Sequence, residues 1–192
     1  METQNKPLIG QKLEQFNLDA FFNYQLTKIN SDSLKGKWLV LFFYPADFTF
    51  VCPTELGDMA DSYEDFKKEN AEVLSVSTDT NFVHKAWFNE SETIKKIKFP
   101  MLADPTGNFC RSLGTYIESE GLSYRATIIV DPDGIIQSYE INNNSIGRNA
   151  SETLRKLQAA KFVFEHGGEV CPARWKPGDR TLKPGIDLIG KI

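Results

Sequence analysis

Two of the three cysteines in this 192-residue chain, Cys52 and Cys171, occur in the same tripeptide, Val-Cys-Pro. Cys52 follows an apolar run and precedes Pro53, a residue that suits the first position of a helix. The positive end of a helix dipole favours a thiolate, which is the reactive form of cysteine. Cys52 is therefore a candidate redox or nucleophilic thiol; the alternative is an inert buried cysteine. Cys171 lies in a segment with several prolines and glycines, a reasonable place for a thiol that must move.

The residue types around Cys52 favour redox chemistry over hydrolysis. A hydrolytic cysteine normally needs a histidine base, and the two histidines, His84 and His166, are better explained as surface or packing residues. Thr49, three residues before Cys52, can bring its hydroxyl next to the sulfur, although loop threonines usually bond the local backbone. The cysteines and histidines lack metal-ligand spacing, so no metal is expected.

The composition indicates a single globular domain. Hydrophobic residues make up 41% and charged residues 25% of the chain, and a net charge of −4 argues against nucleic-acid or anionic-membrane partners. The stretch 1–15 lacks the apolar core of a signal peptide, and the run 38–44 is far shorter than the roughly 18 residues that span a bilayer. These features predict a cytoplasmic protein, in which a permanent disulfide framework is not expected.

The pattern of elements predicts one α/β domain with a mixed sheet. Residues 38–45 indicate a buried central strand, and Asp-Pro-Asp-Gly joins two β-branched runs into a hairpin over 124–141. The other predicted elements are short strands over 16–26, a helix over 53–70, a strand over 72–78, a helix over 81–97, an extended piece over 99–108 and a helix over 150–166.

The helix predicted over 81–97 is expected to turn Phe82, Ala86, Ile94 and Ile97 toward the core. The segment that follows the last helix has no sustained period, so it is expected to form an extended arm outside the core.

The segment FFYPADFTFVCPTELGDMA contains Pro-x-x-x-Thr-x-x-Cys at Pro45, Thr49 and Cys52. With SVSTDTNFVHKAW, MLADPTG, RATIIVDPDGIIQ, IGRNASE and GEVCPARW in order, the chain resembles the typical two-cysteine peroxiredoxins of the bacterial alkyl hydroperoxide reductase type. The resemblance implies a thioredoxin-like fold, in which helices flank a central mixed β-sheet. It also implies a peroxidase domain over 1–165 and a carboxy-terminal arm over 166–192 that carries the resolving cysteine.

By this resemblance Cys52 is the peroxidatic cysteine, which attacks a hydroperoxide as thiolate and becomes a sulfenic acid. Cys171 of the partner subunit then resolves it as an intersubunit disulfide. Pro45 would shield the pocket, Thr49 would hydrogen-bond the sulfur and the peroxide, and Arg125 would stabilise the thiolate and the peroxide oxygens.

Two further residues are implied with supporting roles. Glu55 would orient arginine in the pocket, and Arg148 would be a second arginine that reaches toward Glu55. Glu55 also has a plain alternative, since an acidic residue suits the first turn of any helix. For Arg125, the alternative to a role in the pocket is a surface salt bridge. Cys110 has no counterpart in the two-cysteine chemistry, so it is interpreted as a small buried hydrophobic residue.

The resemblance also implies the partners. No bound cofactor is required, because an external flavoprotein disulfide reductase or a thioredoxin-like dithiol protein supplies the electrons. The protein would form a homodimer and a ring of five dimers, with Val83 near the contact between dimers. The chain lacks the Gly-Gly-Leu-Gly and Tyr-Phe motifs of relatives that are easily overoxidised, which predicts a robust enzyme.

Two other functions compete with the peroxidase. A thioredoxin-like disulfide reductase would need a C-x-x-C pair, and Thr49 stands where the second cysteine would be. A holdase that binds unfolded chains is a non-enzymatic alternative, and no residue excludes it.

Overall fold

The computed structural model describes residues 7–192, which form nine β-strands and five α-helices in that range. The strands are β1 (Asn17–Phe22), β2 (Gln25–Asn30), β3 (Trp38–Phe43), β4 (Ala71–Ser77), β5 (Met101–Ala103), β6 (Tyr116–Ile117), β7 (Leu122–Ser123), β8 (Arg125–Val130) and β9 (Ile136–Asn142). The helices are α1 (Cys52–Asp61), α2 (Tyr63–Lys68), α3 (Asn81–Glu90), α4 (Asn108–Ser112) and α5 (Ala150–Glu165).

Seven of the strands described form one mixed sheet in the order β2-β1-β5-β4-β3-β8-β9. The parallel pairs are β3 with β4 and β4 with β5, whereas β8 runs antiparallel to both β3 and β9. Helices α1 and α2 connect β3 to β4, and α3 lies between β4 and β5. The predicted α/β fold with a mixed sheet and the predicted hairpin at 124–141 are confirmed.

The central strand β3 is buried on both faces, as its continuous apolar sequence predicts. Val40 and Phe42 pack in the core layer that contains α1, α3 and α5 residues, and Leu41 and Phe43 pack in the layer that contains α4 residues. The chain leaves β3 through a short loop that begins at the buried Pro45. This loop leads from the buried strand β3 to Cys52 at the start of α1.

Two predicted helices are shorter than expected. The helix predicted over 53–70 is divided at Ser62 into α1 and α2, and the helix predicted over 81–97 ends at Glu90. Ser91 adopts an extended backbone, and its hydroxyl accepts a hydrogen bond from the N–H of Ile94 at the start of a short 3-10 helix. Serine side chains compete for backbone partners in this way, which ends α3 early.

The inner face of α3 also differs from the prediction. Phe82 and Ala86 are exposed, and the buried residues are instead His84, Trp87 and Phe88, which recur at helical spacing. Thr80 caps the start of α3, where its side chain accepts a hydrogen bond from the N–H of Val83. The prediction was wrong because it left His84, Trp87 and Phe88 out of the inner face; the burial of His84 agrees with its interpretation as a packing residue. The predicted burial of Ile94 and Ile97 is confirmed.

The two ends of the chain bear on other predictions. Most side chains after α5 are exposed, but Trp175 is buried and packs on Phe162 of α5, so this segment does not lie wholly outside the core.

The division into a domain over 1–165 and an arm over 166–192 stays a prediction. Part of the polar amino-terminal stretch, residues 1–6, lies outside the described residues. No helix within residues 7–192 is long and apolar enough to cross a membrane.

Candidate active site

Cys52 is the first residue of α1, and its side chain is fully buried. Val51 provides no side-chain cap, and Pro53 occupies a first-turn position where its missing N–H costs no helical hydrogen bond. The sulfur therefore lies at the positive end of the α1 dipole, as the sequence predicts.

Arg125, the first residue of β8, contacts the sulfur directly. Its Nη1 lies 3.4 Å from Sγ of Cys52 and donates a 2.6 Å hydrogen bond to Oε2 of Glu55. Its Nε donates to the backbone carbonyl of Asn144 at 2.8 Å. Because β8 pairs with β3, a residue that follows Cys52 by 73 positions is brought over the start of α1. A guanidinium held by two acceptors at this distance stabilises a negative charge on the sulfur.

Glu55, one helical turn after Cys52, joins two buried arginines. Its Oε1 accepts hydrogen bonds from the backbone N–H of Arg148 at 2.7 Å and from Nε of Arg148 at 2.9 Å, and its Oε2 accepts from Nη2 of Arg148 at 3.0 Å. The Arg148 guanidinium also lies 3.5 Å above the ring centre of Phe42. The contact expected between Arg148 and Glu55 is thus present. Burial lowers the pKa of Arg148, and its hydrogen bonds to Glu55 act in the opposite direction.

The buried cluster around Cys52 carries a net positive charge. Arg125, Arg148 and Glu55 have side chains that are 4% exposed or less. Two guanidinium groups and one carboxylate leave one positive charge uncompensated beside the Cys52 sulfur. Because isolated buried charge is costly, the cluster is suited to a reaction in which negative charge develops at this position.

The loop between β3 and α1 contains the other predicted site residues. Pro45 is buried and Thr49 is half-buried. The Thr49 hydroxyl donates to the carbonyl of Ala46 at 2.8 Å, so the local backbone contact weighed as its plain alternative is present. The hydroxyl proton of Thr49 is therefore engaged with the backbone. The lone pairs of the same oxygen can still accept a hydrogen bond from a ligand.

A buried polar network that the sequence did not reveal supports the same loop. The hydroxyl of Tyr44 donates to Oδ1 of Asp47 at 2.6 Å, and Nδ1 of His84 lies 2.7 Å from Oδ2 of Asp47. Burial raises the pKa of the Asp47 carboxyl, and its hydrogen bond to His84 opposes that shift. Asp47 and His84 are 37 residues apart in the sequence, so no local pattern predicts their contact. The only available signal was that an aspartate and a histidine can form a hydrogen bond.

The other two cysteines lie in different surroundings. Cys171 is half-buried against α5, where its thiol lies 3.8 Å from the carbonyl of Ala159, and all three cysteines are free thiols. Cys110 is fully buried on α4, which confirms its interpretation as a buried residue.

Among residues 7–192, no group of three or more histidine, cysteine or acidic side chains could hold a metal ion.

Cys110 is expected to resist alkylation in the folded protein. Burial, followed by the charge of Asp104, raises the pKa of its thiol to about 12. At pH 8 only about one Cys110 thiol in 10⁴ is then ionised. Cys110 is also buried, whereas Cys171 is partly accessible to a reagent. Iodoacetamide treatment followed by peptide mass spectrometry should label Cys171 at least about 100-fold faster than Cys110. Equal rates for the two in native buffer would contradict this, and unfolding in urea should make the rates similar.

Comparison with known proteins agrees with this geometry. Residues 9–139 match the model of the AhpC/TSA family, and residues 159–187 match the C-terminal domain of 1-Cys peroxiredoxin. Alkyl hydroperoxide reductase C of Salmonella typhimurium is 55% identical over 96% of this chain and 99% of its own length.

Two solved structures share the fold. The crystal structure of Enterococcus faecalis AhpC is 54% identical, with a TM-score of 0.85 over 87% of this chain and all of that one. The reduced Plasmodium vivax 2-Cys peroxiredoxin is 32% identical, with a TM-score of 0.90 over 95% of this chain and 96% of that one. The sheet and its flanking helices are therefore the thioredoxin-like fold of these proteins, and the chain belongs to the AhpC/TSA family as an AhpC-type peroxiredoxin.

Proposed function

We propose that this protein is a thiol peroxidase that reduces hydrogen peroxide and organic hydroperoxides through Cys52. The observation that supports this most directly is the 3.4 Å contact between Nη1 of Arg125 and Sγ of Cys52 at the start of α1. A cysteine with a charged donor, a helix dipole and no histidine base in contact is suited to attack on an electrophilic oxygen rather than to acyl transfer.

In the first step the Cys52 thiolate attacks the terminal oxygen of the hydroperoxide. The O–O bond breaks, Cys52 becomes a sulfenic acid, and water or an alcohol leaves after taking a proton. Arg125 donates to the peroxide oxygens as negative charge moves onto the leaving oxygen, and Glu55 and Arg148 hold Arg125 in position. The oxygen of Thr49 accepts a hydrogen bond from the peroxide, and Pro45 shields the sulfur from water.

In the second step Cys171 of a partner subunit attacks the sulfenic acid, which releases water and forms an intersubunit disulfide. Cys52 is fully buried, so the first turn of α1 must unwind before the two sulfurs can meet. The missing side-chain cap at Val51 makes that turn easier to open. A half-buried Cys171 on the segment after α5 is consistent with a thiol that is delivered to another subunit.

Exposed features of the single chain support self-association. Strand β9 lies at an edge of the sheet and leaves Ile141 39% exposed, which suits pairing with a second copy in an antiparallel homodimer. Phe50 and Phe82 are 93% and 68% exposed and lie on the active-site loop and on α3. These phenylalanines and the neighbouring Val83 would be covered by contacts between dimers in a ring of five.

The cycle needs no bound cofactor, since an outside reductase restores the two thiols. A flavoprotein disulfide reductase that uses NADH, or a thioredoxin-like dithiol protein, would supply the two electrons. The reducing cytoplasm is the compartment that suits such a cycle, in which the protein serves antioxidant defence and redox homeostasis.

One equivalent of hydrogen peroxide should convert the reduced protein into a disulfide-linked dimer. Non-reducing gels with peptide mass spectrometry should identify Cys52–Cys171 as the link, and the Cys171→Ser variant should stay monomeric on the same gel. Oxidised Cys52 without a disulfide in the unsubstituted protein would remove Cys171 as the resolving residue. Oxidation of Cys110 with Cys52 still reduced would overturn the site assignment.

A further inference from the structure

The segment that carries Cys171 is anchored to α5 by Trp175. The Trp175 side chain is 3% exposed, and its ring centre lies 5.0 Å from that of Phe162. Its Nε1 donates to the carbonyl of Asp179 at 3.1 Å, and its backbone N–H donates to the carbonyl of Pro172 at 3.2 Å. The turn that buries Trp175 holds Arg174 at φ 64°, a left-handed conformation that a non-glycine residue keeps only where surrounding contacts enforce it.

One charged side chain of α5 reaches across to this segment. Nη1 of Arg155 donates to the backbone carbonyl of Trp175 at 3.1 Å. The other guanidinium nitrogens donate to Glu152 on the same helix, Nε at 3.0 Å and Nη2 at 2.9 Å. Glu152 therefore orients the Arg155 guanidinium so that Nη1 points to the segment that carries Cys171. Ala159, whose carbonyl lies next to the Cys171 thiol, is one helical turn after Arg155 on the same face of α5.

We propose that Arg155 is a positioning residue that keeps Cys171 docked on α5 and thereby limits how often Cys171 is free to resolve the sulfenic acid of Cys52. This inference rests on the proposed function. Cys171 precedes Trp175 by four residues, so its movement is limited to the reach of that tether, at most about 14 Å, while the Arg155 bond and the Trp175 contacts both hold.

Docking also makes the Cys171 thiol less reactive than it would be in water. Burial raises the pKa of the Cys171 thiol, and the charge of Arg155 only partly opposes this effect. After release the thiol is in water, and its thiolate attacks the sulfenic sulfur; the S–S bond forms and the hydroxyl leaves as water with the proton of the thiol. No outside oxidant or reductant enters this step.

Loss of the Arg155 bond should therefore accelerate resolution. Release precedes the reaction as an equilibrium, so the observed rate scales with the released fraction even where unwinding of α1 also limits it. We expect Arg155→Gln to form the disulfide roughly fivefold faster, which corresponds to about 1 kcal/mol less stable docking. Faster resolution leaves less time for a second peroxide, so the variant should also yield less Cys52 sulfinic acid at high peroxide.

The test is rapid mixing of the reduced protein with hydrogen peroxide, followed by acid quench and quantification of the Cys52–Cys171 disulfide. Peroxide consumption in the first turnover is measured separately, because Arg155 should not affect it. Arg155→Lys, which retains a cationic donor, should return the rate toward the wild-type value. Lys161→Gln is the matched control: its side chain is also 23% exposed on α5, but it pairs with Glu69.

Faster disulfide formation in Arg155→Gln alone, with unchanged peroxide consumption and faster hydrogen exchange over residues 168–178, would support the inference. An unchanged or slower disulfide rate in that variant would overturn it, as would equal acceleration in Lys161→Gln. If the wild-type protein consumes peroxide but forms no Cys52–Cys171 disulfide, the proposed resolution step fails and this inference fails with it. If the wild-type protein forms the disulfide and Arg155→Gln forms it at the same rate, only this inference is refuted and the proposed function stands.

Discussion

Replacement of Cys52 by serine is expected to abolish peroxide reduction and leave the fold intact. A serine hydroxyl is not ionised at neutral pH, so neither Arg125 nor the α1 dipole can turn it into a nucleophile for the O–O bond. The substitution changes a single atom in a fully buried position, which should preserve packing. We expect kcat/KM for hydrogen peroxide to fall by at least about 10⁴-fold in a competition assay, as for removal of other enzyme nucleophiles.

The other two cysteines provide the controls for this variant. Cys110→Ala should retain peroxidase activity, since Cys110 and Cys52 belong to different core clusters. Cys171→Ser should still consume one equivalent of peroxide but not turn over with a reductase. Peroxide consumption by Cys52→Ser at the wild-type rate would refute Cys52 as the nucleophile. The same variant separates the peroxidase from a holdase, because protection of unfolded chains should survive the substitution.

Replacement of Glu55 by glutamine is expected to impair both stability and the first chemical step. The carboxylate is 1% exposed and accepts hydrogen bonds from Arg125 and Arg148. Glutamine keeps the shape but removes the charge, and its NH₂ group would face guanidinium donors, so two buried cations would lose their counter-ion. Removal of one member of a buried ion pair costs about 3–5 kcal/mol, and we expect a loss near the lower limit in urea unfolding.

The kinetic effect of Glu55→Gln follows from the position of Arg125. Without the 2.6 Å bond to Glu55, Arg125 is no longer fixed beside Sγ of Cys52, and misplacement of a catalytic donor by about 1 Å can cost roughly 100-fold in rate. The rate of first-turnover peroxide consumption should therefore fall by about that factor.

The chain offers a matched control in the exposed pair of Glu118 and Arg111. It has the same two-pronged geometry, with distances of 2.7 and 3.1 Å, but its side chains are 71% and 40% exposed. Water screens such a pair, so Glu118→Gln should change neither stability nor activity measurably. Equal effects of the two substitutions would show that burial of the Glu55 cluster has no special role.

The local sequence was sufficient where near neighbours decide the structure. The apolar run 38–45 identified β3, and Asp-Pro-Asp-Gly identified the β8–β9 hairpin. Pro53 identified the start of α1 and so placed Cys52 at a helix terminus. The hydroxyl of Ser91 ended α3 earlier than the pattern predicted, because a local cap competed with helical periodicity.

Residue types and spacing therefore predicted Cys52 as the reactive thiol and an irregular segment around Cys171, and the resemblance added Arg125, Glu55 and Arg148 as predicted site residues. Only the tertiary structure decided how these groups meet. Arg125 and Arg148 follow Glu55 by 70 and 93 residues. Arg125 reaches Glu55 because β8 pairs with β3, and Arg148, between β9 and α5, is held beside β8 by its hydrogen bond to the carbonyl of Ala126. Strand order and helix packing are long-range properties, which short-range periodicity and turn chemistry do not encode. For the same reason, the burial of Trp175 against α5 emerges only from the packed chain.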